Sequence, residues 1–238
     1  MKSVKSFKIN KKVLVFFMAV IVFIFAISLL INGIINYKTT NYSPYNLTVV
    51  LDAGHGGEDG GAVGITTGIT ECELNLAYTT KIKKYLQAFG INVVETRTTL
   101  NGLYDRFDKD FKQQDMQRRK EIIESANASL VISLHMNKFA DRNQNSAQVF
   151  FGDNNEHSED LANSIRDELI KNFDNARELT LLGDYYITNC SNVPTVIVEC
   201  GFLSNEKDEK NLIDTEYQNK MSYSIFCGIA RYVLTNFG

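Results

Sequence analysis

From residue 47 onward, short runs almost free of charge alternate with longer segments whose apolar residues recur every three or four positions, which restricts the chain to an α/β fold. LTVVLD (47–52) reads as a buried strand that opens into the glycine-rich loop AGHGGEDGGAVG. ECELNLAYTTKIKKYLQAFG (71–90) places apolar residues at 74, 78, 82, 85, 86 and 89, a helical spacing, with Gly90 as its stop. INVVETR (91–97), SLVISLHM (129–136), AQVFF (147–151) and TVIVECGF (195–202) read as strands, and 113–127, 157–173 and 215–236 as helices. Apolar strands separated by helices predict one domain with a twisted, mostly parallel or mixed sheet covered by helices on both faces. In such sheets ligands gather at the loops beyond the carboxyl ends of the strands.

A different element precedes that domain. Residues 13–31 run 19 positions without a charge, long enough for a membrane-spanning helix. Lys2, Lys5, Lys8, Lys11 and Lys12 come before it and no acid does, so the positive-inside bias keeps the N-terminus cytoplasmic and exports the rest. The expected organisation is a cytoplasmic basic segment (1–12), a transmembrane signal anchor (13–35), a polar tether (36–46) and an extracytoplasmic domain (47–238). A cleaved signal peptide is the alternative; its apolar region is shorter and ends at small residues, which INGIINYKTT does not offer. Without the five leading lysines, 20 basic face 28 acidic residues, a formal charge of −8, which argues against nucleic acid as a partner. The four cysteines (72, 190, 200, 227) show no C-x-x-C spacing and so no zinc ribbon; they are either small buried side chains or, in an exported domain, disulfide partners.

Two of the three histidines stand at the ends of buried strands: His55 in D-A-G-H-G-G and His135 in S-L-H-M-N. A lone histidine is usually a satisfied polar residue, but two at strand ends make a plausible pair of zinc nitrogen donors. His157, in DNNEHSED, reads as a surface residue. Glu199 interrupts the apolar run TVIVECGF, and a buried carboxylate needs a metal, a cation or a function. A salt bridge to Arg119 or Arg97 is the bland explanation.

Four ordered segments, D-A-G-H-G-G-E-D-G-G-A-V-G, E-C-E-L-N-L, S-L-H-M-N and V-E-C-G-F-L-S-N, resemble the zinc-dependent N-acetylmuramoyl-L-alanine amidases over residues 47–236. The resemblance implies one Zn2+ per chain, held by His55, Glu71 and His135, with Glu199 as catalytic acid/base and peptidoglycan as substrate. Glu71 rather than Glu73 fits the family's E-x-x-x-N-L spacing to Asn75. Asn137 and Ser133 flank His135 and are candidate supporting or substrate-contacting groups, alternatively caps of the strand end; Arg119 joins them through the resemblance. The anchor and the absence of wall-binding repeats further resemble the germination-specific amidases of endospore formers, whose cleavage prepares muramic acid for lactam formation in the spore cortex. Ala53 replaces the family's usual proline and Cys72 its common lysine, so a less preorganised metal loop is expected, with an extracytoplasmic activating protein aiding zinc binding. A zinc peptidase cutting within the stem peptide and a non-catalytic peptidoglycan-binding protein are the competing functions.

Overall fold

The computed structural model describes residues 11–41, 46–105 and 109–238. The chain divides into two compact units, residues 1–42 and 43–238. The first is helix α1 (Lys11–Asn41), whose stretch Lys11–Leu30 has mean hydropathy 3.2 and is long and apolar enough to cross a membrane. Its backbone stays helical through residues 36–41, where the sequence predicts the start of a tether. Residues 1–10 of the basic segment and 42–45 of the tether lie outside the described residues.

The second unit is built on a six-stranded sheet. In chain order its elements are β1 (Thr48–Ala53), α2 (Glu71–Ala88), β2 (Asn92–Glu95), α3 (Phe111–Ser125), β3 (Leu130–Asn137), β4 (Gln148–Phe151) and α4 (Ser158–Asn172). There follow β5 (Leu181–Leu182), α5 (Tyr186–Asn189), β6 (Thr195–Phe202), α6 (Glu206–Ile213) and α7 (Thr215–Phe237). The strand order is β2-β1-β3-β6-β4-β5; β4 runs antiparallel to β6 and every other pairing is parallel. The sheet is thus mixed, as expected.

Side-chain alternation along a strand assigns the faces. Val49, Leu51, Leu130, Ile132, Leu134, Val196 and Val198 pack into the larger core, against Tyr78 and Ile82 of α2, Leu161 and Ile165 of α4, and Ile225 and Ile229 of α7. Val50, Val131 and Ile197 point the other way, into a small cluster with Ile123 of α3 and Ile187 of α5. By the same parity Asp52, Ser133, His135 and Glu199 fall on this second, thinner face. The apolar cover there is slight, so polar side chains at the carboxyl ends of three central strands share one cleft.

Three elements went unpredicted. A two-residue β5 and a four-residue α5 are too short to show a period, and α6, EKDEKNLI, hides its helical face among charges.

Candidate metal centre

His55 lies two residues beyond β1 and adopts a left-handed backbone, φ 62°, a strained state for a side-chain-bearing residue. The glycines around it make this affordable. A Cβ on Gly54 would collide with the His135 imidazole, and one on Gly61 (φ 70°) would lie 2.5 Å from Glu71 Oε2. Glu71 opens α2, where the helix's positive end favours a carboxylate. Its competitor Glu73 is occupied as a cap, its Oε2 accepting from Thr70 N at 2.9 Å and Thr70 Oγ1 at 2.6 Å. His135 pairs in register with Glu199 on the neighbouring strand, and the register slips immediately afterwards. Such a bulge re-aims side chains beside a site.

These elements bring His55, Glu71 and His135 together, with one donor atom from each within 4.8 Å of the others. Glu71 Oε1 lies 3.2 Å from His55 Nε2 and 2.8 Å from His135 Nδ1. The carboxylate is itself oriented: Oε2 accepts from Ala62 N at 2.7 Å and Oε1 from Met136 N at 3.1 Å. Burial opposes protonation of His55, but the carboxylates of Asp59 and Glu71 outweigh it and push its pKa up to about 10. Burial would likewise raise Glu71, yet the two imidazoles hold it well below the usual carboxylate range. Two imidazoles and a carboxylate are the donor set of a three-ligand zinc site, and a cation among them would take the place of the proton now held on His55. The residues fit the metal.

Glu199 lacks such partners. Its Oε2 is buried without any hydrogen bond. Burial raises its pKa, His135 and His55 oppose, and the neighbouring Glu71 adds, leaving it at about 7. Neither suggested arginine serves it. Arg97 donates to the carbonyls of Ala53, Gly54, Cys72 and Thr99, and Arg119 is engaged beneath the metal loop.

That engagement was not legible in the sequence. Arg119, fully buried on α3, pairs with Asp52 and, at 2.6 Å, with Asp115. It also donates to the carbonyls of Ala53 (2.9 Å) and His55 (2.7 Å). Ser133 Oγ donates to Asp52 Oδ2 at 2.6 Å. Arg119 and Ser133 therefore support the loop rather than reach the donor atoms, and Ala53, for all its lost proline, has a carbonyl held by two arginines. Asn137 turns away: its Oδ1 accepts from Lys138 N and its carbonyl from Leu203 N. His157 is exposed at the start of α4, and all four cysteines are free. Asp59, which the sequence reading passed over, lies 3.1 Å from His55 Nδ1, on the side away from Glu71. The acids flanking the histidine in D-A-G-H-G-G-E-D were the available signal.

The site opens into a cavity of about 250 Å³ whose walls include Tyr104, Phe111, Met116, Tyr185, Tyr186 and Ile187. It is a cleft between α3 and α5 with the histidines and Glu199 at its base.

Residues 49–231 match the family described as N-acetylmuramoyl-L-alanine amidase. The germination-specific N-acetylmuramoyl-L-alanine amidase of Bacillus subtilis is 34% identical over 188 residues, spanning 77% of this chain and 78% of that protein. The CwlD amidase of Clostridioides difficile, solved in complex with the GerS lipoprotein, is also 34% identical, with a TM-score of 0.76 over 80% of this chain and 100% of that one. The catalytic domain of CwlV from Bacillus (Paenibacillus) polymyxa is 28% identical, with a TM-score of 0.70 over 79% and 98%. With the match running through the strands and loops that build the cleft, the chain belongs to the N-acetylmuramoyl-L-alanine amidase family and is an amidase of peptidoglycan.

Proposed function

We propose that the enzyme is zinc-dependent, with His55, Glu71 and His135 as ligands and Glu199 as general base and acid, and that it detaches stem peptides from muramic acid during spore cortex maturation. The observation that carries this reading is the buried, unpartnered Oε2 of Glu199, on a residue set in register beside His135 at the base of the cleft. When bound, zinc supplies a polarised carbonyl and an acidified water. Glu199, whose buried Oε2 has no hydrogen-bond partner at the base of the cleft, is suited to accept a proton from the attacking water and return it to the departing L-alanine nitrogen. The Asp59 carboxylate, 3.1 Å from His55 Nδ1, and Arg119, which donates to the His55 carbonyl, orient His55 from behind. Tyr104, Phe111, Met116, Tyr185, Tyr186 and Ile187 give the cleft a largely apolar wall beside the donors.

The cortex role rests on the germination-specific relative of Bacillus subtilis. An extracytoplasmic domain tethered by α1 rests on the apolar stretch Lys11–Leu30 and the lysines before it. A protein partner is suggested by the CwlD–GerS complex.

Glu199→Gln keeps size and shape but cannot take a proton. The variant should fold, hold zinc as the wild type does, and lose about 10²–10⁴-fold in turnover on purified peptidoglycan. Wild-type turnover would refute Glu199 as base. Mass spectrometry of the digest should show a free L-alanine amine beside an intact lactyl carboxyl; cleavage inside the stem peptide would assign a peptidase instead.

A further inference from the structure

Away from the donor atoms, α6 carries a buried carboxylate that the chemistry above does not use. Glu209 Oε1 accepts from Thr67 N and Thr67 Oγ1, both at 2.7 Å, and Oε2 accepts from Thr66 N at 2.8 Å. The residue is 1% exposed. Thr66 and Thr67 form the tip of a small hairpin closed by the Val63–Thr70 bridge and by Gly64 N donating to Ile69 O at 2.9 Å. The base of this hairpin is the metal centre: Ala62 N donates to Glu71 Oε2, and Glu71 N and Cys72 N donate back to the carbonyls of Ala62 and Gly60. The other end of the connection is the segment that follows Glu199. Ile65 N donates to Leu203 O, and Asp208, beside Glu209, accepts from Phe202 N at 3.0 Å.

We infer that Glu209 is a positioning residue: it latches the hairpin to α6, in the segment that follows Glu199, and through Ala62 it holds the Glu71 carboxylate in place for zinc. The inference rests on the metal reading above and extends it to a residue outside the cleft. Gly64 packs directly against the latch: its φ is not in the left-handed region, and a Cβ there would meet Glu209 Oε1, so a side chain at 64 has to displace that carboxylate.

Two variants break the latch from opposite sides. Glu209→Gln presents an NH2 to one of the three donors that now meet an oxygen, while Gly64→Ala displaces the carboxylate without touching it chemically. The full chain, in detergent micelles and loaded with zinc, is mixed with excess chelator and metal release is followed. Each variant should release zinc faster than wild type, by up to about 10-fold, the lower end of the range for groups bonded directly to a metal ligand. The double variant should be no faster than either single one, since both remove one contact. Hydrogen exchange on the metal-free chain should show lost protection reaching Ala62, Glu71 and Cys72. Release within about twofold of wild type in both variants, or additive effects in the double variant, would overturn the latch. So would exchange changes confined to residues 64–68, even if the melting temperature falls. A wild-type chain that takes up no zinc would sink the metal reading, and the exchange measurement would still decide the latch.

Discussion

Replacing Arg119 by methionine removes the cation beneath the metal loop while keeping a stem that fills its place. Asp52 and Asp115, 1% and 7% exposed, then face each other across an apolar side chain. Asp52 keeps its hydrogen bonds from Ser133 (2.6 Å) and Thr96 (2.7 Å), which limits the damage but does not neutralise the charge. Breaking a buried ion pair by removing one partner costs about 3–5 kcal/mol. A ceiling follows from protonation: raising a carboxyl from its ordinary 3.8 to neutral pH costs about 4 kcal/mol at 1.36 kcal/mol per unit, beyond which it takes up a proton instead. Arg119→Met should therefore lose about 3–4 kcal/mol at pH 7, a large share of the 5–15 kcal/mol typical of a domain. Because the escape is protonation, the loss should shrink by about 2 kcal/mol at pH 5.5. Urea unfolding followed by circular dichroism suits a chain with no tryptophan. A loss below about 1 kcal/mol, or one equal at both pH values, would refute the claim that Arg119 compensates buried carboxylates. Adding Asp52→Asn to the variant should recover part of the loss, and failure to do so would point to Asp115 alone.

Two more predictions concern protons. Asp52 is held at about 2, because Arg119, Ser133 and Thr96 together outweigh a burial that would raise it. A lowered folded pKa means its contribution is complete above the unfolded value of 3.8 and disappears as pH falls to about 2, worth about 2 kcal/mol; acid unfolding of Asp52→Asn should lack that part of the slope, and an unchanged slope would count against it. Since the pKa of His55 stands at about 10, zinc uptake at pH 7.5 should release about one proton from it; calorimetry in buffers of different ionisation enthalpy measures this, and buffer-independent heats would contradict the assignment.

What residue order determines here is local and periodic. The β-branched runs and the helical spacing of 71–90 fixed the α/β class, because a strand repeats every two residues and a helix every 3.6, and both periods are visible in one dimension. The charge-free run 13–31 stood out for the same reason, and so did a glutamate stranded in TVIVECGF. Residue order, together with likeness to a family, also pointed to His55, Glu71 and His135. Tertiary structure alone decided what surrounds them. Asp52 and Arg119 are 67 positions apart, and Glu209 is 143 from Thr66, so no window of sequence joins them. Glu71 and Glu73 look alike in ECE, yet Thr70 occupies one as a helix cap and two histidines face the other. The substitution at Ala53 suggested a loose loop, whereas the folded chain places two buried guanidinium groups on that carbonyl. Partners brought together by sheet register and helix docking leave no periodic trace, because their spacing is set by how the chain crosses itself rather than by any repeat along it.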